Sequence, residues 1–189
     1  MSIITTLERY AVMSDACKAR ISKIIVAKKH KKKQIILKPG EFNKKLYFIE
    51  TGLARVYYEV QQDREVTSWF GYEGGFLCSV SAFLSQKPSR EYIETLEDST
   101  LYAIEYDDLQ QLFIEFPELN LVFRRLYEHC LRLYDTRTVL LRERNPRAQY
   151  QAFLRLYPAL GNRVQIGHVA SYLNRSISTI SHVRQEIAM

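Results

Sequence analysis

The chain has 189 residues, of which 47% are hydrophobic and 25% are charged, and its formal net charge is +6. This composition is typical of a globular protein with a buried core. The sequence contains no run of about 18 apolar residues, so no transmembrane helix is predicted. The N-terminus lacks a basic segment followed by an apolar one, so we expect no signal peptide, a cytoplasmic location and no membrane partner.

Positive charge is concentrated in two places. Five lysines lie between Lys28 and Lys33, and residues 142–189 hold seven arginines against two glutamates. The C-terminal concentration fits contact with the phosphates of a nucleic acid. The lysine run is typical of a solvated surface, and a second phosphate contact is the alternative interpretation.

The sequence contains no catalytic or metal-binding motif that we can identify. It has no G-x-S-x-G, no P-loop and no H-E-x-x-H sequence, so we expect neither an enzyme nor a catalytic residue. The three cysteines are too widely scattered for a zinc or iron–sulfur site, and we expect no metal. Buried structural thiols, with one redox-sensing thiol as the alternative, are expected at Cys17, Cys78 and Cys130.

The first half of the chain changes from helical to strand character. Apolar residues at helical spacing in residues 3–27 predict one or two helices, the second capped by Ser14 or Asp15. Residues 34–104 alternate short apolar and aromatic segments with turns, which predicts an antiparallel β-barrel or roll with a hairpin loop at residues 61–64. Strand segments are expected at residues 34–37, 46–49, 53–60, 65–70, 76–84, 92–96 and 101–104.

A long helix is predicted after the roll. Asp107 is expected to cap a helix that ends before Pro117, and residues 118–142 then form a longer helix. Alternating spacings of three and four between its seam residues predict a coiled-coil dimer, and an amphipathic helix packed on its own roll is the alternative. The predicted seam is Leu119, Val122, Leu126, His129, Leu133, Thr136 and Leu140.

The C-terminal segment predicts two short helices joined by a tight turn, after a helix at residues 147–156. Asn174 tolerates the left-handed backbone that such a turn needs, and Ser176 is suited to cap the second helix. The polar side of that helix can enter a major groove, whereas a plain helical hairpin is the alternative. This side carries Ser178, Ser181, His182 and Gln185.

The order of these elements resembles the Crp/Fnr superfamily of bacterial transcription regulators. Residues 38–41, 46–56 and 92–104 resemble its cyclic-nucleotide-binding fold. Residues 147–150, 157–160 and 169–173 resemble the DNA-binding half of a branch common in Bacteroidetes.

The resemblance implies an α+β fold with three parts. Residues 1–117 would form an N-terminal, cupin-like antiparallel β-roll with flanking helices, which is the effector domain. Residues 118–144 would be the dimerisation helix. Residues 145–189 would be a short helix-turn-helix domain without a wing, and the domain boundary is expected near residues 143–146.

The effector positions depart from the family pattern. Nucleotide-binding members use a Gly-Glu pair for the ribose and an Arg-Ser pair for the cyclic phosphate, where this chain has Cys78-Ser79 and Ser89-Arg90. A buried phosphate without a well-placed cation is costly, so we expect an unknown small molecule or no effector rather than a cyclic nucleotide. The candidate pocket residues are Phe76, Leu77, Cys78, Ser79, Ser89, Arg90 and Tyr92.

The DNA-contacting positions also depart from the family. Members carry Arg, Glu and Arg where this chain has Ile177, Ser178 and His182, which predicts a relaxed or A·T-leaning site. Arg175 and Arg184 are expected to contact phosphates. The candidate DNA-binding residues are Arg175, Ser176, Ile177, Ser178, Thr179, Ser181, His182, Arg184 and Gln185.

These observations predict a dimeric DNA-binding transcription regulator of the Crp/Fnr type with an effector other than cyclic AMP. DNA and a second copy of the chain are the expected partners, and RNA polymerase is a further candidate. The alternative is a ligand-binding module of the same fold in which DNA recognition is weakened or lost.

Overall fold

A computed structural model describes residues 2–60 and 64–188 of the chain. Its helices are α1 Ile3–Glu8, α2 Asp15–Ile24, α3 Val80–Ser85, α4 Tyr106–Glu115, α5 Pro117–Arg142, α6 Pro146–Leu156, α7 Ile166–Tyr172 and α8 Ile177–Ala188. Its strands are β1 Val26–His30, β2 Ile35–Leu37, β3 Lys45–Thr51, β4 Leu53–Val60, β5 Arg64–Tyr72, β6 Phe76–Leu77, β7 Tyr92–Thr95 and β8 Ser99–Glu105.

The chain divides into two compact units. The first, which we call the roll unit, comprises Met1–Tyr58 and Trp69–His129, and the second, the C-terminal unit, comprises Glu59–Ser68 and Cys130–Met189. The C-terminal unit thus begins within α5 and includes the start of β5, whereas the sequence placed a boundary near residues 143–146.

Two antiparallel sheets build the roll, with strand orders β1-β8-β3-β6 and β2-β7-β4-β5. Apolar side chains that alternate along these strands fill the space between the sheets, because successive residues of a strand point to opposite faces. The predicted α+β fold with an antiparallel roll is therefore confirmed. Its core cluster is Leu37, Ile49, Ala54, Val56, Leu77, Ile93 and Leu101.

Gly52 makes the tight connection between β3 and β4. Its φ is +102°, and a Cβ atom placed there would lie 2.7 Å from the Cα of Ser99. Both the left-handed backbone and the close approach of another chain segment require glycine at this position.

Local structure in the roll differs from the sequence prediction at three places. Residues 26–30 form strand β1, which pairs with β8 from Val26 opposite Ala103 to His30 opposite Ser99, instead of continuing the helical region. Four of its five side chains are exposed, so no apolar alternation marks it as a strand.

The other two differences concern helices. Val80–Ser85 was expected as part of a strand segment and forms α3. Helix α4 is preceded by Glu105 as the N-cap residue, and Asp107 lies in its first turn. Residues 61–63 of the predicted hairpin loop lie outside the described residues.

Helix starts elsewhere follow the sequence closely. Of the two cap residues predicted for α2, Ser14 is the N-cap, and its hydroxyl accepts from the backbone N–H of Cys17. No helix within residues 2–60 and 64–188 has the length and apolar content needed to cross a membrane.

Candidate functional site

Helix α8 has one side packed in the C-terminal unit and one side facing solvent. Ile180 and Val183 are buried on the packed side. The opposite side exposes Ile177, Ser178, His182 and Gln185, and Ser181 and Thr179 lie half-buried beside them. The structure therefore brings the predicted polar face together on one accessible helix surface.

The turn before α8 has the predicted geometry. Asn174 has a φ of +52°, which is the left-handed backbone conformation that asparagine tolerates. The Ser176 hydroxyl accepts from the backbone N–H of Thr179 at 3.1 Å and so caps α8. It also lies 2.9 Å from the Ser178 hydroxyl, which gathers hydroxyl groups at the exposed start of the helix.

A groove of about 480 Å³ separates the start of α6 from α8. Arg147 lies on the α6 side and His182 on the α8 side. The Nε2 atom of His182 is 3.1 Å from a carboxylate oxygen of Glu186, which adds a negative charge to the groove. The full lining is Asn145, Pro146, Arg147, Ser178, Thr179, His182, Val183 and Glu186.

Arg175, which was predicted to contact phosphate, binds groups of its own chain. Its Nε donates to Oε1 of Gln149 at 2.8 Å. One terminal nitrogen donates to the carbonyl oxygens of Glu143 and Arg144 at 2.7 and 3.0 Å. These three acceptors engage Nε and one terminal nitrogen and give Arg175 a structural role, and its predicted phosphate contact stays a prediction.

Gln149 is a buried junction that the sequence reasoning missed. Its amide nitrogen donates to the carbonyl oxygen of Leu140 at 3.0 Å and to that of Leu173 at 3.3 Å. These bonds connect the end of α5 to the end of α7 and satisfy carbonyl groups that a helix end leaves open. The acceptors are distant in sequence, so no local signal marks this residue.

Arg184 is half-buried like Arg175, but its side chain bonds to an exposed residue. Its guanidinium donates to Oδ1 of Asn162 at 3.1 Å and is half-buried. This single bond to an exposed side chain is compatible with the phosphate contact that the sequence predicts.

The effector cassette, which we define as residues 78–91, contains a closed polar cluster. The Ser79 hydroxyl donates to a carboxylate oxygen of Glu91 at 2.6 Å, and the Ser89 hydroxyl donates to that of Ser79 at 3.1 Å. The Ser79 backbone N–H donates to Asn43 Oδ1 at 2.7 Å. Because both serines are buried, this network uses hydrogen-bonding capacity that a ligand would otherwise need.

Glu91 was not among the predicted pocket residues, yet it brings a negative charge to the polar cluster of the cassette. Its carboxylate accepts from Ser79, and its backbone carbonyl oxygen lies 3.0 Å from the Ser89 hydroxyl. Arg90, the nearest cation in sequence, is exposed. A carboxylate at this position disfavours a phosphate beside it, because like charges repel.

The remaining predicted pocket residues do not share one surface. Leu77 lies in the core of the roll, and the Phe76 ring packs on the Phe48 ring at 5.4 Å. Tyr92 stacks on Tyr57 at 4.8 Å. Since Tyr92 precedes the core residue Ile93 on the same strand, its side chain lies on the opposite face of the sheet.

Most of the predicted dimer seam on α5 is already buried inside the chain. Leu119, Val122, Leu126 and Leu140 are each at most 5% exposed, whereas His129 and Thr136 are exposed and Leu133 is half-buried. The heptad-like spacing thus follows from packing within the monomer at these four positions, which favours the amphipathic alternative there. A different face of α5 is exposed at Leu131, Tyr134, Thr138 and Val139.

The cysteine environments do not favour thiolates where pKa shifts are resolved. Burial raises the pKa of the Cys17 thiol to about 11, with a smaller contribution from the charge of Glu118. Burial also raises the pKa of Cys130. Cys17 is fully buried, and Cys78 is half-buried. A raised thiol pKa is typical of an unreactive structural cysteine.

Comparisons with known proteins concern both the roll and the full chain. A family model described as "Cyclic nucleotide-binding domain" matches residues 27–116. The chain is 26% identical over 176 residues to the "Anaerobic regulatory protein" of Pasteurella multocida (strain Pm70), which covers 87% of this chain and 64% of that relative.

A second relative, "CRP-like protein Clp" of Xanthomonas oryzae pv. oryzae (strain PXO99A), is 26% identical over 116 residues. That alignment covers 59% of this chain and 50% of the relative. The solved structure of FixK2 from Bradyrhizobium japonicum has a TM-score of 0.73 at 15% identity, covering 87% of this chain and 85% of that chain.

These comparisons agree with the geometry on the roll. Residues 27–116, which match the model described as "Cyclic nucleotide-binding domain", contain the strands of both sheets except the first residue of β1. The chain spans less than two thirds of the length of the two curated relatives. One relative is named as a regulatory protein and the other as a CRP-like protein, and neither name is that of an enzyme, which agrees with the sequence prediction.

Proposed function

We propose that the protein is a dimeric, DNA-binding transcription regulator of the Crp/Fnr type and that the C-terminal unit binds the DNA. The exposed polar face of α8, presented beyond a left-handed turn, is the observation that carries this proposal. Ser178 and Gln185 can hydrogen-bond to base edges in a major groove, and Ile177 can contact a thymine methyl group. The chain's relatives include an anaerobic regulatory protein and a CRP-like protein.

The phosphate contacts in this proposal differ from those expected from the sequence. Arg147 lines the groove beside α8 and is exposed, whereas Arg175 is bound to its own chain. We therefore assign phosphate contact to Arg147 and Arg184. Phosphate contacts fix the protein's position on DNA, and the α8 side chains supply what sequence preference there is.

Charge placed on the α8 face tests the proposal. Gln185→Glu should weaken binding to an A·T-rich duplex by about tenfold or more, because a carboxylate would face the acceptors and phosphates of DNA. Gln111→Glu, at an exposed position of α4 in the roll unit, makes the same chemical change and should leave the affinity within about twofold. Fluorescence anisotropy with a labelled duplex measures both.

Two results would overturn the assignment. Equal weakening by both variants would show that only net charge matters. Unchanged affinity in Gln185→Glu would remove α8 from the interface and would favour the alternative, a ligand-binding module of the same fold that has lost DNA recognition.

We also propose that the effector is not a cyclic nucleotide. The buried cluster of Ser79, Ser89 and Glu91 supports this, because a cyclic phosphate placed there would meet the carboxylate of Glu91 and serines that are already hydrogen-bonded within the chain. A small molecule without a phosphate, or no effector, is consistent with the cassette. A melting-temperature screen identifies a ligand, since a molecule that binds only the folded state raises that temperature.

The dimer contact is proposed on the exposed face of α5 in the C-terminal unit. Leu131, Tyr134 and Thr138 recur at spacings of three and four and are exposed, as the seam of a paired helix requires. Paired units would place two copies of α8 about one helical turn of DNA apart, where they can read two half-sites.

Leu131→Glu should convert a dimer to a monomer, because it places a carboxylate in an apolar contact with a second copy. Ile114→Glu makes the same change at an exposed aliphatic residue of α4 in the roll unit and should leave the dimer intact. Sedimentation velocity distinguishes the two. A monomeric parent protein, or a dimer in both variants, would contradict the assignment.

A further inference from the structure

Three side chains of α8 form a row along the groove between α6 and α8. Ser178, His182 and Glu186 follow one another at intervals of four residues and all line the groove, so they lie along one side of the helix. Apart from the titratable ring of His182, the ionisable side chains on the lining are Arg147 on the α6 side and Glu186 on the α8 side. The face that we propose to bind DNA therefore includes a carboxylate.

A carboxylate on this face is unfavourable for DNA binding in general. DNA phosphates are negatively charged, so Glu186 should lower the affinity for every sequence. Its contact with His182 adds little to stability, because the side chain of His182 is 75% exposed and that of Glu186 is 39% exposed. Neither general affinity nor folding accounts for Glu186, which points to a role in sequence recognition.

His182 is better placed than Glu186 to contact a base. It is the sixth of the twelve residues of α8, whereas Glu186 is the tenth. In helix-turn-helix proteins, the N-terminal residues of the helix in the major groove contact the base edges. We therefore expect Glu186 to act on recognition through its neighbour His182.

The contact with Glu186 determines which nitrogen of His182 can accept a hydrogen bond. Nε2 of His182 is 3.1 Å from a carboxylate oxygen of Glu186. A carboxylate has no proton to donate, so it favours a neutral ring that carries its proton on Nε2 and a lone pair on Nδ1. Within residues 2–60 and 64–188, Nδ1 makes no hydrogen bond. The ring thus offers an acceptor to a ligand.

We propose that Glu186 positions His182 as a hydrogen-bond acceptor, so that the ring reads the amino group of a base, N6 of adenine or N4 of cytosine. These are the two amino groups that the major groove presents, whereas guanine and thymine present acceptors there. This inference rests on the proposed DNA-binding function. Glu186 is a positioning residue in it, and His182 makes the contact.

The base pair that His182 reads is found by selection from a pool of duplexes with about 20 randomised base pairs, which is room for two half-sites. The full-length parent and His182→Ala are used at about pH 8, where imidazole side chains are largely neutral. The position of interest is the one whose preference is lost in His182→Ala. If His182→Ala lost no preference, the proposal would be wrong.

Base analogues at that position then distinguish an acceptor from a donor. One duplex lacks the amino group (purine in place of adenine, or 2-pyrimidinone in place of cytosine), and another carries carbon in place of the purine N7. Loss of the amino group should weaken binding of the parent about fivefold and binding of His182→Ala less than about twofold. Loss of N7 should change both by less than about twofold. A larger cost for N7 than for the amino group would make His182 a donor and would overturn the proposal.

Glu186→Gln tests the positioning. An amide both donates and accepts, so either nitrogen of His182 can then carry the proton, and the cost of losing the amino group should fall to about twofold or less. Glu59→Gln, at an exposed glutamate of β4, makes the same chemical change and should behave like the parent. An undiminished cost in Glu186→Gln would contradict the positioning role. So would a changed preference at a different base pair, because Glu186 would then contact a base itself.

Failure of DNA binding is distinguishable from failure of this inference. If the folded parent binds no duplex, the proposed function falls, and NMR of the His182 ring nitrogens at about pH 8 decides on the positioning. The fraction of neutral rings with the proton on Nδ1 should be at least about twofold higher in Glu186→Gln than in the parent and in Glu59→Gln. Equal fractions in the three proteins would overturn the positioning role.

Discussion

The effector cassette and the face of α8 both carry small polar side chains, but they use them in opposite ways. In the cassette, Ser79 and Ser89 are buried and hydrogen-bonded to each other and to Glu91. On α8, Ser178 and Gln185 are exposed on a continuous helix face. Residue type alone therefore does not identify a binding surface. What decides is whether the polar groups already have partners within the chain.

The largest effect is expected at Arg175, which was predicted to contact DNA but is hydrogen-bonded to groups of its own chain. Arg175→Ala removes donors to Gln149 Oε1 and to two backbone carbonyl oxygens, and it leaves the fully buried Gln149 without that donor. Hydrogen bonds from charged groups contribute about 1.5–3 kcal/mol each, so the free energy of unfolding should fall by about 3 kcal/mol. Urea denaturation measures this loss.

Arg184→Ala is the matched control for Arg175→Ala. It removes one bond to the exposed Asn162 and should reduce the free energy of unfolding by less than about 1 kcal/mol. It should weaken DNA binding instead. If Arg175→Ala kept its stability and lost only DNA affinity, Arg175 would be a phosphate contact and the structural assignment would be wrong.

A smaller loss of stability is expected when the hydrogen-bond network of the cassette is interrupted. Glu91→Ala removes the carboxylate that accepts from Ser79, which is 1% exposed, and should destabilise the protein by about 1–3 kcal/mol. The variant should still show no rise in melting temperature with cyclic AMP, because the cassette gains no cation. Glu59→Ala, at an exposed glutamate, should be near neutral. Nucleotide binding by the parent would contradict the closed cassette.

The smallest effect concerns a titrating group of the roll. Burial, and then the charge of Lys28, lowers the pKa of His30 in the folded state. The unfolded chain then binds more protons than the folded chain near and below pH 6.5, so stability falls as the pH drops through that range. The urea midpoint should fall from pH 7.5 to pH 5.5 in the parent and fall less in His30→Gln. An equal fall in both proteins would show that His30 is not the responsible group.

Local chemistry made part of the fold predictable from sequence. Ser14 and Ser176 cap helices through the next turn of backbone, and Asn174 supplies a left-handed turn, so each signal lies within a few residues of its effect. Strand β1 lacked such a signal, because most of its side chains are exposed and its partner β8 is about 70 residues away. A strand of that kind is defined by its pairing.

In the candidate sites, too, the features that depend on contacts between distant segments could not be predicted from the sequence. The polar face of α8 was predictable because helical periodicity alone groups its residues. The role of Arg175 depends on Gln149, and that of Ser79 on Glu91, both of which are set by packing between segments. The α5 seam had the expected spacing, but spacing cannot distinguish a partner helix from the chain's own core, and Leu119 and Val122 are buried in the core.

The central claim is that the C-terminal unit binds DNA through the open face of α8 and the basic groups beside it. The most direct measurement is the affinity of the full-length chain for a labelled A·T-rich duplex at several salt concentrations. Binding should be clear at about 50 mM salt and should weaken by about tenfold or more at 200 mM, as released counterions require. A folded protein that does not bind at 50 mM, or whose binding is indifferent to salt, would contradict the claim.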